Sequence, residues 1–190
     1  MRSIFIAGLL VSSSLLVSSS LWAKEPMTVE SALADSEKAL DSGRIGDAIN
    51  ESERLQKTHG LKKDEQSRLD VIVARCKLVL GKYAESEKLL AKHVKQAPDD
   101  TRLAEWYARA LDGNGKDEAA LALLSELAKK DALQEGDSYW ALAQLERGKG
   151  ENEAARTHAK LALEKPIVLQ SDELDHEIHK FIDDLAPKKK

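Results

Sequence analysis

The sequence predicts an all-α fold of stacked helix hairpins, and three observations predict it. Four times a small residue is followed seven positions on by glycine and five further on by another small residue. The sets are Ser36/Gly43/Ala48, Ala74/Gly81/Ser86, Ala108/Gly115/Ala120 and Ala143/Gly150/Ala155, with glycines 38, 34 and 35 residues apart. Such spacing describes two antiparallel helices crossing so closely that only small side chains fit, with glycine in the turn between them. Apolar residues also recur at helical period along nearly the whole chain, without strand-like alternation. Aromatic content, at 4%, is low for a compact enzyme and suits layers of alanine and leucine in which each hairpin touches only its neighbours.

Residues 1–23 stand apart. Arg2 gives a positive start, the stretch from Ile4 to Leu21 is apolar and serine-rich, and Ala23 precedes the polar Lys24-Glu25-Pro26. This pattern predicts a secretory signal cleaved after Ala23 and a periplasmic or secreted protein. Six serines and short leucine clusters make it a poor spanning helix, which leaves no stable membrane span after cleavage. Helices are then expected near 28–41, 46–58, 65–79, 82–96, 100–112, 116–130, 138–147, 151–164 and 171–185. Breakers separate them: Gly43, Gly60, Gly81, Pro98, the pairs Gly113/Gly115 and Gly148/Gly150, Gly136 and Pro166. Asp99 or Asp100 follows Pro98 and can cap the next helix. In the last helix Leu174, Ile178, Phe181, Ile182 and Leu185 share one face, which predicts a lid over the open side of the array. The tail Pro187–Lys190 follows as a frayed end.

The repeat resembles the tetratricopeptide repeat, a helix-turn-helix unit of about 34 residues. Its fullest copy is Gly81-Lys82-Tyr83-Ala84-Glu85-Ser86, followed by the apolar face of Leu89, Leu90 and Val94 and closed by Pro98-Asp99-Asp100. The first copy carries Gly43-Arg44-Ile45-Gly46-Asp47-Ala48, and the third and fourth have Asp117 and Asn152 where the family places an aromatic. The resemblance covers about residues 28–168. It implies a tetratricopeptide-repeat right-handed superhelix of about four helix hairpins with a C-terminal capping helix. The domain division is a signal at 1–23, a repeat domain at 24–170 and a capping helix with basic tail at 171–190. Within the repeat domain the copies fall near 29–62, 67–100, 101–134 and 136–168.

In this family the first helix of each repeat lines a concave groove. Its ligand-facing places fall here on Arg68, Val71, Arg75 and Leu78, on Arg102, Glu105, Arg109 and Asp112, and on Asp137, Trp140, Gln144 and Arg147. Arg68 and Arg102 are 34 residues apart, as are Arg75 and Arg109, so stacked repeats would set four guanidinium groups in a two-by-two array. Such forks hold carboxylates in pairs, which implies a protein or peptide partner, acidic in character. Glu65, Asp70, Glu105 and Asp112 lie close enough in sequence to pair with these arginines instead. Trp140 falls on a groove place and Trp106 beside one, whereas Tyr107 and Tyr139 fall on places that pack inside the repeat. None of these places holds the lysine and asparagine that carboxylate-clamping members use.

Chemistry finds little support. The chain lacks a glycine-rich phosphate loop, a serine elbow and a zinc motif, so no enzyme activity and no cofactor are expected. Asp172, His176, His179 and Asp183 share one helical face, but that face points away from the apolar stripe and reads as solvated. Cys76, the single cysteine, sits between apolar neighbours and reads as a small buried hydrophobe. Beyond residue 23 the chain has 28 basic and 33 acidic residues, intermixed, which argues against a nucleic-acid surface. The expectation is a protein-interaction scaffold of the bacterial cell envelope with a peptide or helix in its groove. The alternatives are a self-associating homo-oligomer without a peptide ligand and, more remotely, a metal-dependent hydrolase built on His176 and His179.

Overall fold

The computed structural model describes residues 28–58, 60–168 and 171–187; the expected signal at 1–23 and the tail lysines lie outside them. Nine helices occupy the described residues, with no strand among them. They are α1 (Val29–Asp41), α2 (Ile45–Gln56), α3 (Lys63–Val79), α4 (Tyr83–Gln96), α5 (Thr101–Gly113), α6 (Asp117–Lys129), α7 (Gly136–Gly148), α8 (Asn152–Glu164) and α9 (Asp172–Asp184). Every boundary falls within two residues of its sequence expectation. None of these helices is long and apolar enough to cross a membrane.

The four glycine turns share one geometry. At the first, Gly43 has φ 69°, its N–H donates to the Leu40 carbonyl at 3.1 Å, and the Arg44 N–H reaches back to Ala39 at 2.8 Å. This pair of bonds satisfies the carbonyls that a helix end leaves orphaned, and the left-handed residue it requires strongly favours glycine. The same bonds recur at Gly81, Gly115 and Gly150. Asp131 adopts that conformation, φ 53°, after α6. Side-chain caps open other helices: Thr28 accepts the Ser31 N–H, Asp100 that of Leu103, and Ser171 that of Leu174.

All eight small residues of the repeat sets are buried to 1% exposure or less. The Ser86 hydroxyl donates across its crossing to the Ala74 carbonyl at 2.8 Å. The interior divides into three clusters along the stack. Leu33, Leu40, Leu55, Leu69 and Ile72 anchor the first, Leu78, Leu90, Leu103 and Trp106 the second, and Leu124, Leu142, Ile178 and Phe181 belong to the third. Helices α3 and α5 each serve two clusters, coupling the layers. Ile178, Phe181 and Ile182 of α9 are buried against the fourth hairpin, with Leu174 and Leu185 packed beside them. That is the capping arrangement expected of this helix. Cys76 is 4% exposed and burial pushes its thiol pKa up, which keeps it in the unreactive protonated form.

Candidate functional site

One helix from each hairpin, α1, α3, α5 and α7, contributes to a common wall, and the four arginines stand on it. Their carboxylate partners come from the chain itself. Arg68 meets Glu30 at 2.6 Å and Glu37 at 2.9 Å. The Arg75 Nη2 meets Asp41 at 2.6 Å and its guanidinium lies 4.1 Å from the centre of the Trp106 ring. Arg102 reaches the same Asp41 oxygen at 3.4 Å and lies 5.0 Å from the same ring. Arg109 holds Glu135 at 2.6 Å and Asp137 at 3.3 Å. Trp106 completes the network by donating its Nε1–H to Glu135 at 2.8 Å.

The sequence pointed to other acids. Glu65 turns back to its own helix start, where it accepts the Lys62 N–H at 2.8 Å. Asp70 faces Gln66, Lys92 and His93. Glu105, expected on the groove, is fully buried, where its carboxylate accepts the N–H groups of Gln134 and Glu135 and fixes the approach to α7. Burial raises its pKa against those bonds. Of the four expected acids, only Asp112 faces an arginine of the array, Arg109, whose charge partly offsets the rise caused by its burial and by Asp117. Pairing therefore runs between hairpins rather than within them. Asp41 and Glu135 are the residues that bind the layers, and their role depends on how successive hairpins stagger.

The array divides into an inner and an outer pair. Side-chain exposure is 7% for Arg75 and 14% for Arg109, against 35% for Arg68 and 41% for Arg102. The outer pair opens onto a cavity of about 500 Å³ whose lining includes Val71, Ile72, His93, Leu103 and Trp106. Two polar atoms there, His93 Nε2 and Arg102 Nε, are buried without a hydrogen-bond partner. A second depression of about 230 Å³ is lined by Leu78, Tyr83, Asp112, Trp140 and Gln144 among others. Gln144 is exposed, and Trp140 is half-buried with its ring edge-on to Phe181 at 4.8 Å. Tyr139 is buried in the third cluster and Tyr107 packs beside the second, the interior places expected of them.

Between the two depressions the wall is covered by the chain's own segment 166–168, which the sequence marked only as a break after α8. The clue was an apolar Ile167-Val168 pair following Pro166, with no helix face to bury it. On α9, Asp172, His176, His179 and Asp183 are all exposed. Among the described residues no group of three or more His, Cys, Asp or Glu is placed to hold a metal ion.

No family model matches the sequence, and no curated protein matches it significantly. Solved structures do match. A tetratricopeptide repeat protein from Parabacteroides merdae ATCC 43184 superposes with TM-score 0.59 at 18% identity, covering 84% of this chain. The chain spans 59% of that protein's length. MamA AMB-1 superposes with TM-score 0.54 at 16% identity over 81% of this chain and 84% of its own. A second crystal form of MamA gives 0.53 at 15% identity, over 83% of this chain and 80% of that one. Hairpin geometry and neighbours agree: this chain has the tetratricopeptide-repeat fold.

Proposed function

We propose that the protein is a non-enzymatic interaction scaffold of the bacterial cell envelope that holds a segment of another polypeptide against its α1/α3/α5/α7 wall. The observation that carries this reading is the open cavity of about 500 Å³ between Arg68 and Arg102, lined also by Val71, Leu103 and Trp106. Two arginine forks flanking an apolar lining suit a peptide with an acidic side chain beside an apolar one. Arg102 is the more weakly engaged fork, since it holds Asp41 only at 3.4 Å. The basic Arg2, the apolar stretch after it and the polar Lys24-Glu25-Pro26 following Ala23 support an envelope location.

Arg68→Glu with Arg102→Glu tests the site. Both side chains are partly exposed, so helicity should survive the change, with a lower melting temperature as the new acids face Glu30, Glu37 and Asp41, while capture of the envelope partner is lost. Undiminished capture by the doubly reversed protein removes the outer arginines from the site. N-terminal sequencing of the protein from fractionated cells tests the location, with Lys24 expected as the first residue.

A further inference from the structure

Residues 165–168, which follow α8, lie on the wall as a ligand would. Lys165 is extended (φ −111°, ψ 156°) and Pro166 follows it. The Gly136 N–H donates to the Pro166 carbonyl at 2.7 Å. Two residues on, the Val168 N–H donates to the Asp137 carboxylate at 2.9 Å. Between these main-chain bonds Ile167 packs against the third cluster. Val168 lines, with Leu40 of α1 and Leu78 and Val79 of α3, a gap of only about 10 Å³ beside Arg75, Trp106 and Arg109. The fit is close at both ends. A Cβ on Gly136 would stand 2.6 Å from Ile167 Cγ1, and one on Gly43 would stand 2.9 Å from the Val168 carbonyl.

Main-chain bonds supply affinity and side-chain pockets supply selectivity when a protein takes an extended peptide. Both are present here, within one chain. We infer that the middle of this wall is a binding site for an uncharged Pro-Ile-Val-like segment held by its main chain, occupied in the free protein by residues 166–168 and open to a partner segment of the same chemistry. The inference rests on the reading that this wall takes polypeptide, but it uses residues other than the outer arginines. A tethered occupant competes at millimolar effective concentration, so an outside segment binds weakly until the internal one is withdrawn.

The test uses the fluorescently labelled peptide acetyl-Glu-Lys-Pro-Ile-Val-amide, which reproduces residues 164–168, and fluorescence anisotropy. The Ile167→Gly/Val168→Gly protein should bind it at least tenfold more tightly than the wild type. A peptide carrying N-methylvaline, which has no N–H for Asp137, should lose that binding. Equal affinity in the two proteins, no binding to a variant of native helicity, or indifference to N-methylation overturns the inference. If the double variant loses its helicity, Val168→Gly alone is judged by the same criteria. Failure here with loss of capture in the Arg68/Arg102 variant would leave the outer site standing, so the two readings separate.

Discussion

Trp106 and Glu135 are joined by a 2.8 Å hydrogen bond from the indole N–H to a carboxylate that also holds Arg109. One buried acid therefore serves an aromatic ring and a guanidinium on successive turns of α5. Glu135→Ala leaves the buried indole N–H without an acceptor and Arg109 with only Asp137 at 3.3 Å, and breaking such a buried pair costs about 3 kcal/mol or more. Thermal denaturation followed by circular dichroism should show a melting temperature lower by about 10 °C.

The hairpin crossings set a second test. Ala120 is fully buried against the preceding helix. Ala120→Leu forces three extra heavy atoms into that contact and should cost about 1–3 kcal/mol. Chemical denaturation should register the change as a lower midpoint with an unchanged slope.

Two glycines should answer alanine oppositely. Gly115 has φ 72° and open space around it, so Gly115→Ala isolates the backbone strain, about 1 kcal/mol. Gly46 lies inside α2, also in open space, and Gly46→Ala should stabilise by about 0.5–1 kcal/mol through helix propensity and a stiffer unfolded chain. Paired urea titrations would show the two midpoints moving apart from the wild type.

Asp112 brings in a dependence on pH. Burial, then the charge of Asp117, pushes its pKa up to about 6, against the pull of Arg109. A raised carboxyl pKa means that the folded state holds the proton more tightly than the unfolded chain does. Its contribution is therefore favourable below the unfolded value near 3.8 and is lost as pH climbs through about 6. Asp112→Asn removes that loss. The variant should melt a few degrees above the wild type at about pH 8, and the two should coincide near pH 3.5.

The hairpins were legible because their demands are narrow. A left-handed turn residue strongly favours glycine, a close crossing requires alanine or serine, and both recur at near-fixed spacing from Ser36 to Ala155. The stripe from Leu174 to Leu185 was legible for the same reason, since a helix at the end of a stack must bury one face. The wall was less so. Repeat register put Arg68, Arg75, Arg102 and Arg109 on one surface, but it could not show that Asp41 and Glu135 reach them from adjoining layers. That outcome depends on the offset between hairpins, which no local pattern encodes. Glu105 was misread for a related reason: its partners are backbone amides at Gln134 and Glu135, and backbone leaves no mark in a sequence. Residues 166–168 were read as punctuation because a loop's docking place is fixed by tertiary distance alone.

The division of the interior into three clusters has a mechanical consequence. Among the described residues, α3 and α5 alone belong to two clusters each, so they join the successive layers. In such a stack each layer is stabilised chiefly by the layers beside it, so a change made in one cluster reaches the next through α3 or α5. Val168 departs from that rule, since its carbonyl brings the loop after the fourth hairpin against the Gly43 turn of the first and so ties two layers that are not neighbours.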